Sequence, residues 1–138
     1  MLDRPKYGWS HITIGDWTER CSYLDDVPRL LLEAMESAFR THRPAAATFD
    51  AEGYEYTLVF DFFVTHVISN NCRDGYIYNS IEVNLRTLAN ELVEDIRRDI
   101  DDWAEFDVEP SESEISEYKE ALLVCCDILE KRVDEHTK

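Results

Sequence analysis

Apolar residues recur along this chain with two periods, and the stretch over which each period holds marks an element. From Tyr54 to Ile68 the even positions are Tyr54, Tyr56, Leu58, Phe60, Phe62, Val64, His66 and Ile68, set against Glu55, Thr57, Asp61, Thr65 and Ser69 on odd ones. A period of 2 predicts a half-buried strand of an antiparallel sheet with its even positions facing the core. At about 3.3 Å per residue the run would reach roughly 50 Å, so a bend or bulge is expected within it. Ahead of it, Ile12 and Ile14 share one side of a short strand, and Gly15-Asp16 is a turn dipeptide. Trp17, Glu19, Cys21 and Tyr23 then alternate on a return strand, which makes a hairpin. Ala46 to Asp50 is a further strand before the turn Ala51-Glu52-Gly53. After the turn cluster from Asn70 to Gly75, the segment Tyr76 to Val83 alternates again, with Ile77, Ile81 and Val83 on one side.

Elsewhere the period is 3.6. Val27, Leu30, Leu31, Ala34, Met35, Ala38 and Phe39 form one stripe of a helix that starts at Pro28, with Asp25 and Asp26 at its positive end. That helix should stop before Pro44. Leu85, Leu88, Ala89, Leu92, Ile96, Ile100 and Trp103 predict a second long helix, and Glu105 to Pro110 a connector. Ser111 and Glu114 have capping-box spacing ahead of a third helix, whose stripe is Ile115, Tyr118, Leu122, Cys125, Leu129 and Val133. The expected order is β-β-α-β-β-β-α-α. That is an α+β domain: an antiparallel sheet of about five strands with three helices packed mainly on one face, spanning residues 1–138.

The composition supports a folded domain, since 44 % of residues are hydrophobic and 12 % aromatic. Charge is the more informative quantity. Thirty Asp and Glu stand against fourteen Lys and Arg, a formal net charge of −16. Such a field repels nucleic acid and anionic membranes and attracts cationic surfaces in a salt-sensitive way. No apolar stretch is long enough to span a bilayer, and the opening Met-Leu-Asp-Arg-Pro-Lys lacks the apolar core of a secretory signal. A cytoplasmic location with reduced thiols is therefore expected.

Candidate chemistry is sparse. Cys21, Cys72, Cys125 and Cys126 contain no C-x-x-C, and His11, His42, His66 and His136 are scattered, so neither a metal nor a cofactor is expected. No G-x-S-x-G, phosphate-binding loop or H-E-x-x-H occurs. Cys21 has the alternation of an ordinary strand residue. His66 is placed on the apolar side of the long run, as a hydrogen-bonded core histidine. Asp61, between Phe60 and Phe62, is the acid with most scope for a raised pKa, although its odd position faces it to water.

Acid is concentrated between Glu91 and Glu120, where thirteen carboxylates accompany three bases. Arg97 and Arg98 offset some of them at helical spacing, and Glu112 and Glu114 suit a helix start. Asp99, Asp101, Asp102 and Glu105 instead fall at the expected C-terminal end of the second helix, where the macrodipole disfavours anions. Asp107 and Glu109 extend the cluster. These acids with Glu112 are the candidate partner-binding surface, and Tyr76 and Tyr78 are candidate aromatic anchors.

The size, the acidic surface and the opening from Trp9 to Pro28 (Trp-x-x-Ile-x-Ile-Gly-Asp, then Ser-Tyr-Leu-Asp-Asp-Val-Pro) resemble the immunity proteins of bacterial toxin systems, including contact-dependent growth inhibition. That resemblance implies a non-enzymatic cytoplasmic inhibitor of a basic, nuclease-like toxin domain and assigns no residue a role. Two other classes fit the composition. One is a small hydrolase or ligand-binding domain with a pocket between sheet and helices, using Asp61 or His66; the other is a nucleic-acid mimic or adaptor subunit. The sequence leaves the oligomeric state open.

Overall fold

The long apolar run folds back on itself at Asp61. In the computed structural model, which describes residues 1–70, 75–106 and 111–136, Glu55–Phe60 and Val64–Asn70 are separate antiparallel strands with Phe60 opposite Thr65. The Asp61 N–H donates to the Val64 carbonyl at 3.0 Å, and the Asp61 carboxylate accepts the Phe62 N–H at 2.8 Å. An aspartate thus closes the turn through its own side chain, without glycine or proline. Because Phe60 pairs with Thr65, the buried positions change from even (Tyr56, Leu58, Phe60) to odd (Thr65, Val67). The expectation that every even position faces the core is corrected beyond Phe60. Phe62 is half-buried at the turn, and Val64, His66 and Ile68 lie on the opposite face.

Among the described residues there are six strands: β1 (Trp9–Ile14), β2 (Trp17–Ser22), β3 (Ala45–Asp50), β4 (Glu55–Phe60), β5 (Val64–Asn70) and β6 (Tyr76–Glu82). All pairs are antiparallel, and β3-β4-β5-β6 form one four-stranded sheet while β1-β2 form a hairpin of their own. The α+β antiparallel class holds; the single sheet of about five strands is replaced by these two. Side chains join them. Trp17 meets Tyr56 edge-on at 5.5 Å, and the Tyr56 hydroxyl donates to the Arg20 carbonyl at 2.9 Å. The Arg20 guanidinium lies over the Trp9 and Tyr54 rings and donates to the Ala51 carbonyl.

The helices are α1 (Val27–Thr41), α2 (Leu85–Arg98), α3 (Ile100–Ala104) and α4 (Glu112–His136). Pro28 sits in the first turn of α1, and His42 ends that helix in the left-handed region at φ 56°. Four helices replace the expected three because the helix read as continuous from Leu85 to Trp103 breaks at Asp99. The serine cap of α4 forms as its spacing implies, with the Glu114 N–H donating to the Ser111 hydroxyl at 3.2 Å. On that helix Cys126, not Cys125, is fully buried. Phe49, Tyr56, Leu58 and Phe60 from the sheet share one core with Leu31 and Met35 of α1, Leu92 and Ile96 of α2, Trp103 of α3, and Leu122 and Leu129 of α4. No helix among the described residues covers the other face of the sheet, where Val59, Val64, His66 and Ile68 are only half-buried. Most of the expected turn from Asn70 to Gly75 and of the connector from Glu105 to Pro110 lies outside the described residues.

Candidate functional site

The break at Asp99 changes the electrostatics of the acids that follow it. Asp99 ends α2, while Asp101 and Asp102 fall in the first turn of α3, the end of a helix that favours anions. All three also have cationic partners. Asp99 pairs with Arg98 at 2.9 Å, Asp101 with Lys119 at 2.6 Å and Asp102 with Arg4 at 2.8 Å. The bridges of Asp101 and Asp102 tie α3 to α4 and to the segment ahead of β1, which gives these two aspartates a structural part, while among the described residues Asp99 pairs only with its neighbour. Glu105 and Glu112 are exposed and form no ion pair among the described residues. Asp107 and Glu109 lie outside the described residues.

Tyr76 and Tyr78 are 76 % and 59 % exposed on β6. Their side chains stand on the face of the sheet that turns away from the helices. The Tyr78 hydroxyl and His66 Nδ1 lie 2.6 Å apart with their rings stacked, so His66 belongs to this outer face and not to the core. Asp101, Asp102, Glu105 and Glu112 thus gather on the α3–α4 side, and the tyrosines do not join them.

Further acids without countercharge continue along α4. Glu114, Glu117 and Glu120 recur every three residues on its solvent side, and none is ion-paired among the described residues. Most acids on the other helices and further along α4 are matched, among them Glu33 by Arg29, Glu36 by Arg40 and Arg132, and both Asp127 and Glu130 by Arg97, whereas Glu94 of α2 is not matched among the described residues. Beside this ridge opens a cleft of about 300 Å³ lined by Leu24, Asp25, Asp26, Phe106, Glu114 and Tyr118, among others. Three carboxylates face it between aromatic and aliphatic walls. The spacing of Glu114, Glu117 and Glu120 was legible in the sequence; the approach of Asp25 and Asp26 to Tyr118 from across the chain was not.

Two of the cleft acids, Asp25 and Asp26, are partly withdrawn from water. Burial raises the pKa of Asp25, and the nearby Asp50 carboxylate adds to it against the Asp50 N–H bond at 2.7 Å. Although Asp26 is exposed at its edge, partial burial raises its pKa against the hydrogen bond from the Tyr118 hydroxyl and the nearby Arg29. A native pKa above the ordinary 3.8 means that the folded form holds protons that the unfolded chain has released. Stability is therefore lost as pH rises from that value through the raised one, and the penalty is absent below it. The Asp25→Asn/Asp26→Asn pair should melt no lower than the parent at neutral pH, and any advantage should vanish below about pH 4. Thermal melts across that range check this; a variant that melts lower only at neutral pH would contradict it.

Other candidates are chemically quiet. Burial pushes the Cys21 thiol up to about 12, so it stays protonated at neutral pH and is a poor nucleophile. Asp61 spends its carboxylate on the turn. Among the described residues no group of three or more His, Cys, Asp or Glu is placed to hold a metal ion, and no helix is long and apolar enough to cross a membrane. Comparison with protein-family models, curated proteins and solved structures found no match.

Proposed function

We propose that this chain is a non-enzymatic inhibitor that docks a cationic protein domain on its α3–α4 side, as a cytoplasmic immunity protein does with a nuclease-like toxin. The observation that carries the reading is the ridge of Glu114, Glu117 and Glu120, which with Glu112 leaves the first half of α4 without countercharge among the described residues, in a chain that pairs most of its other helical acids. Like charges at i,i+3 cost a helix roughly 0.2–0.5 kcal/mol per pair. Arg or Lys side chains of a partner would reverse the sign of that cost.

The ridge and the cleft divide the work. Exposed carboxylates steer a basic surface during diffusional encounter and so act on the association rate. The cleft offers a guanidinium or ammonium group the carboxylates of Asp25, Asp26 and Glu114, while its alkyl stem lies against Leu24, Phe106 and Tyr118. Partial desolvation strengthens attraction between opposite charges there. A site that covers a toxin's basic surface would block nucleic acid from reaching it, with no reaction at all.

The test is genetic. The gene should follow that of a large secreted effector, and co-production with the effector's terminal domain should restore growth and yield a complex. A place among metabolic genes, with no protection from a neighbouring effector, would remove the reading.

A further inference from the structure

Of the two edges of the main sheet, β6 is the less guarded among the described residues, although the β1–β2 turn at Gly15 lies beside Ile81. Natural edge strands are usually kept from pairing by charges, prolines, bulges or a covering element. The β3 edge follows that rule: Pro44 precedes the strand, and the outward Asp50 N–H is taken by the Asp25 carboxylate. Strand β6 runs seven residues in unbroken register with β5, from Tyr76 opposite Asn70 to Glu82 opposite Val64. It has no proline and no lysine, and its one charge is Glu82 at the far end. Tyr76, Ile77 and Tyr78 are 76 %, 54 % and 59 % exposed.

The ladder fixes which backbone groups are free. The Val83 N–H donates to the Phe63 carbonyl at 3.1 Å. Bonded and non-bonded pairs alternate in an antiparallel ladder, so Ile77, Asn79 and Ile81 bond inward to β5. The N–H and C=O groups of Tyr76, Tyr78, Ser80 and Glu82 therefore point out from the edge.

We infer that the occupant of this edge is the β6 strand of a second copy of this chain. Charge decides between partners. A basic protein would be recognised by carboxylates, and this is the neutral stretch of a chain in which 32 % of residues are charged. Two molecules of net charge −16 can approach closely only where charge is absent. The strand is also self-complementary. An antiparallel two-fold pairing centred on Asn79 uses all seven residues and sets outward groups against outward groups. Tyr78 then faces Ser80 of the second copy, Tyr76 faces Glu82, Ile77 faces Ile81, and no acid faces an acid. The result is one continuous sheet through both copies with the helices on the same side. This inference stands apart from the docking of a cationic domain, which uses the α3–α4 side.

Sedimentation equilibrium reads it directly. The mass should rise with concentration from 16.2 kDa toward twice that value. Association should strengthen in about 1 M salt, where the Debye length falls to roughly 3 Å and repulsion between the copies is screened. A cationic partner would show the opposite salt dependence. Ser80→Pro removes a donor that the single chain does not use and should weaken self-association roughly tenfold or more. Ser80→Lys, which leaves the backbone intact, should do the same, and both should melt with the parent. Hydrogen exchange should protect the Tyr78, Ser80 and Glu82 amides only as concentration rises. A species that stays at 16.2 kDa in high salt, or a dimer indifferent to both Ser80 variants, would overturn the inference. So would protection of those amides only when a basic protein is added.

Discussion

Phe60→Ala should lower the unfolding free energy by about 3–5 kcal/mol, and Phe62→Ala, two residues on, by clearly less. Phe60 is 0 % exposed at the centre of the sheet's inner face. Its truncation removes transfer free energy and leaves a cavity that neighbours on α1 and β5 cannot close. Phe62 is half-buried at the β4–β5 turn, where its ring stacks on His136 at 4.9 Å and meets Phe39 edge-on at 5.6 Å. Those contacts hold the turn against the ends of α1 and α4, but solvent can occupy much of the space the ring would vacate. Thr57→Ala should cost little, since that side chain lies on the outer face and loses only its bond to Thr48. Urea unfolding of the three variants measures the series. Equal large losses at Phe60 and Phe62 would mean that the chain runs straight through Asp61.

That residue marks the limit of what alternation reveals. A period of 2 reports that a backbone is extended, and it is blind to a reversal that preserves the spacing of apolar side chains. Here the pattern continues past the turn because Val64, His66 and Ile68 are partly apolar cover for the outer face, not core. The only local signal was an aspartate able to bond the next N–H. The helices were more legible, because a stripe at 3.6 spacing has one burial solution. Pro28, the serine cap and most stripe positions sit as the pattern implies. The break at Asp99 was not, since Ile96, Ile100 and Trp103 keep the spacing of one continuous helix. For the candidate site, sequence located the acid-rich segment but not the pairing within it. Arg4 reaches Asp102 from 98 positions away, and no local rule supplies such a partner.

On the proposed reading, pairing decides which acids would serve a partner. Glu114→Gln/Glu117→Gln/Glu120→Gln removes three charges that form no bridge among the described residues, and its melt should stay close to that of the parent, because relief of repulsion along α4 offsets the lost helix-start interaction of Glu114. Asp101→Asn/Asp102→Asn breaks the contacts to Lys119 and Arg4 and should melt lower. Against a cationic effector domain the order should invert. The glutamate variant should associate roughly tenfold or more slowly at low salt, with a smaller change in dissociation. The aspartate variant, whose charges are already matched, should associate nearly as the parent does. Stopped-flow association of the three proteins with that domain, followed from low to physiological salt, is the most direct measurement. The rate should fall steeply with salt for the parent and the aspartate variant, and should start lower and fall less steeply for the glutamate variant. A glutamate variant that associates at the parental rate across the salt series would contradict it and move the docking surface off α4.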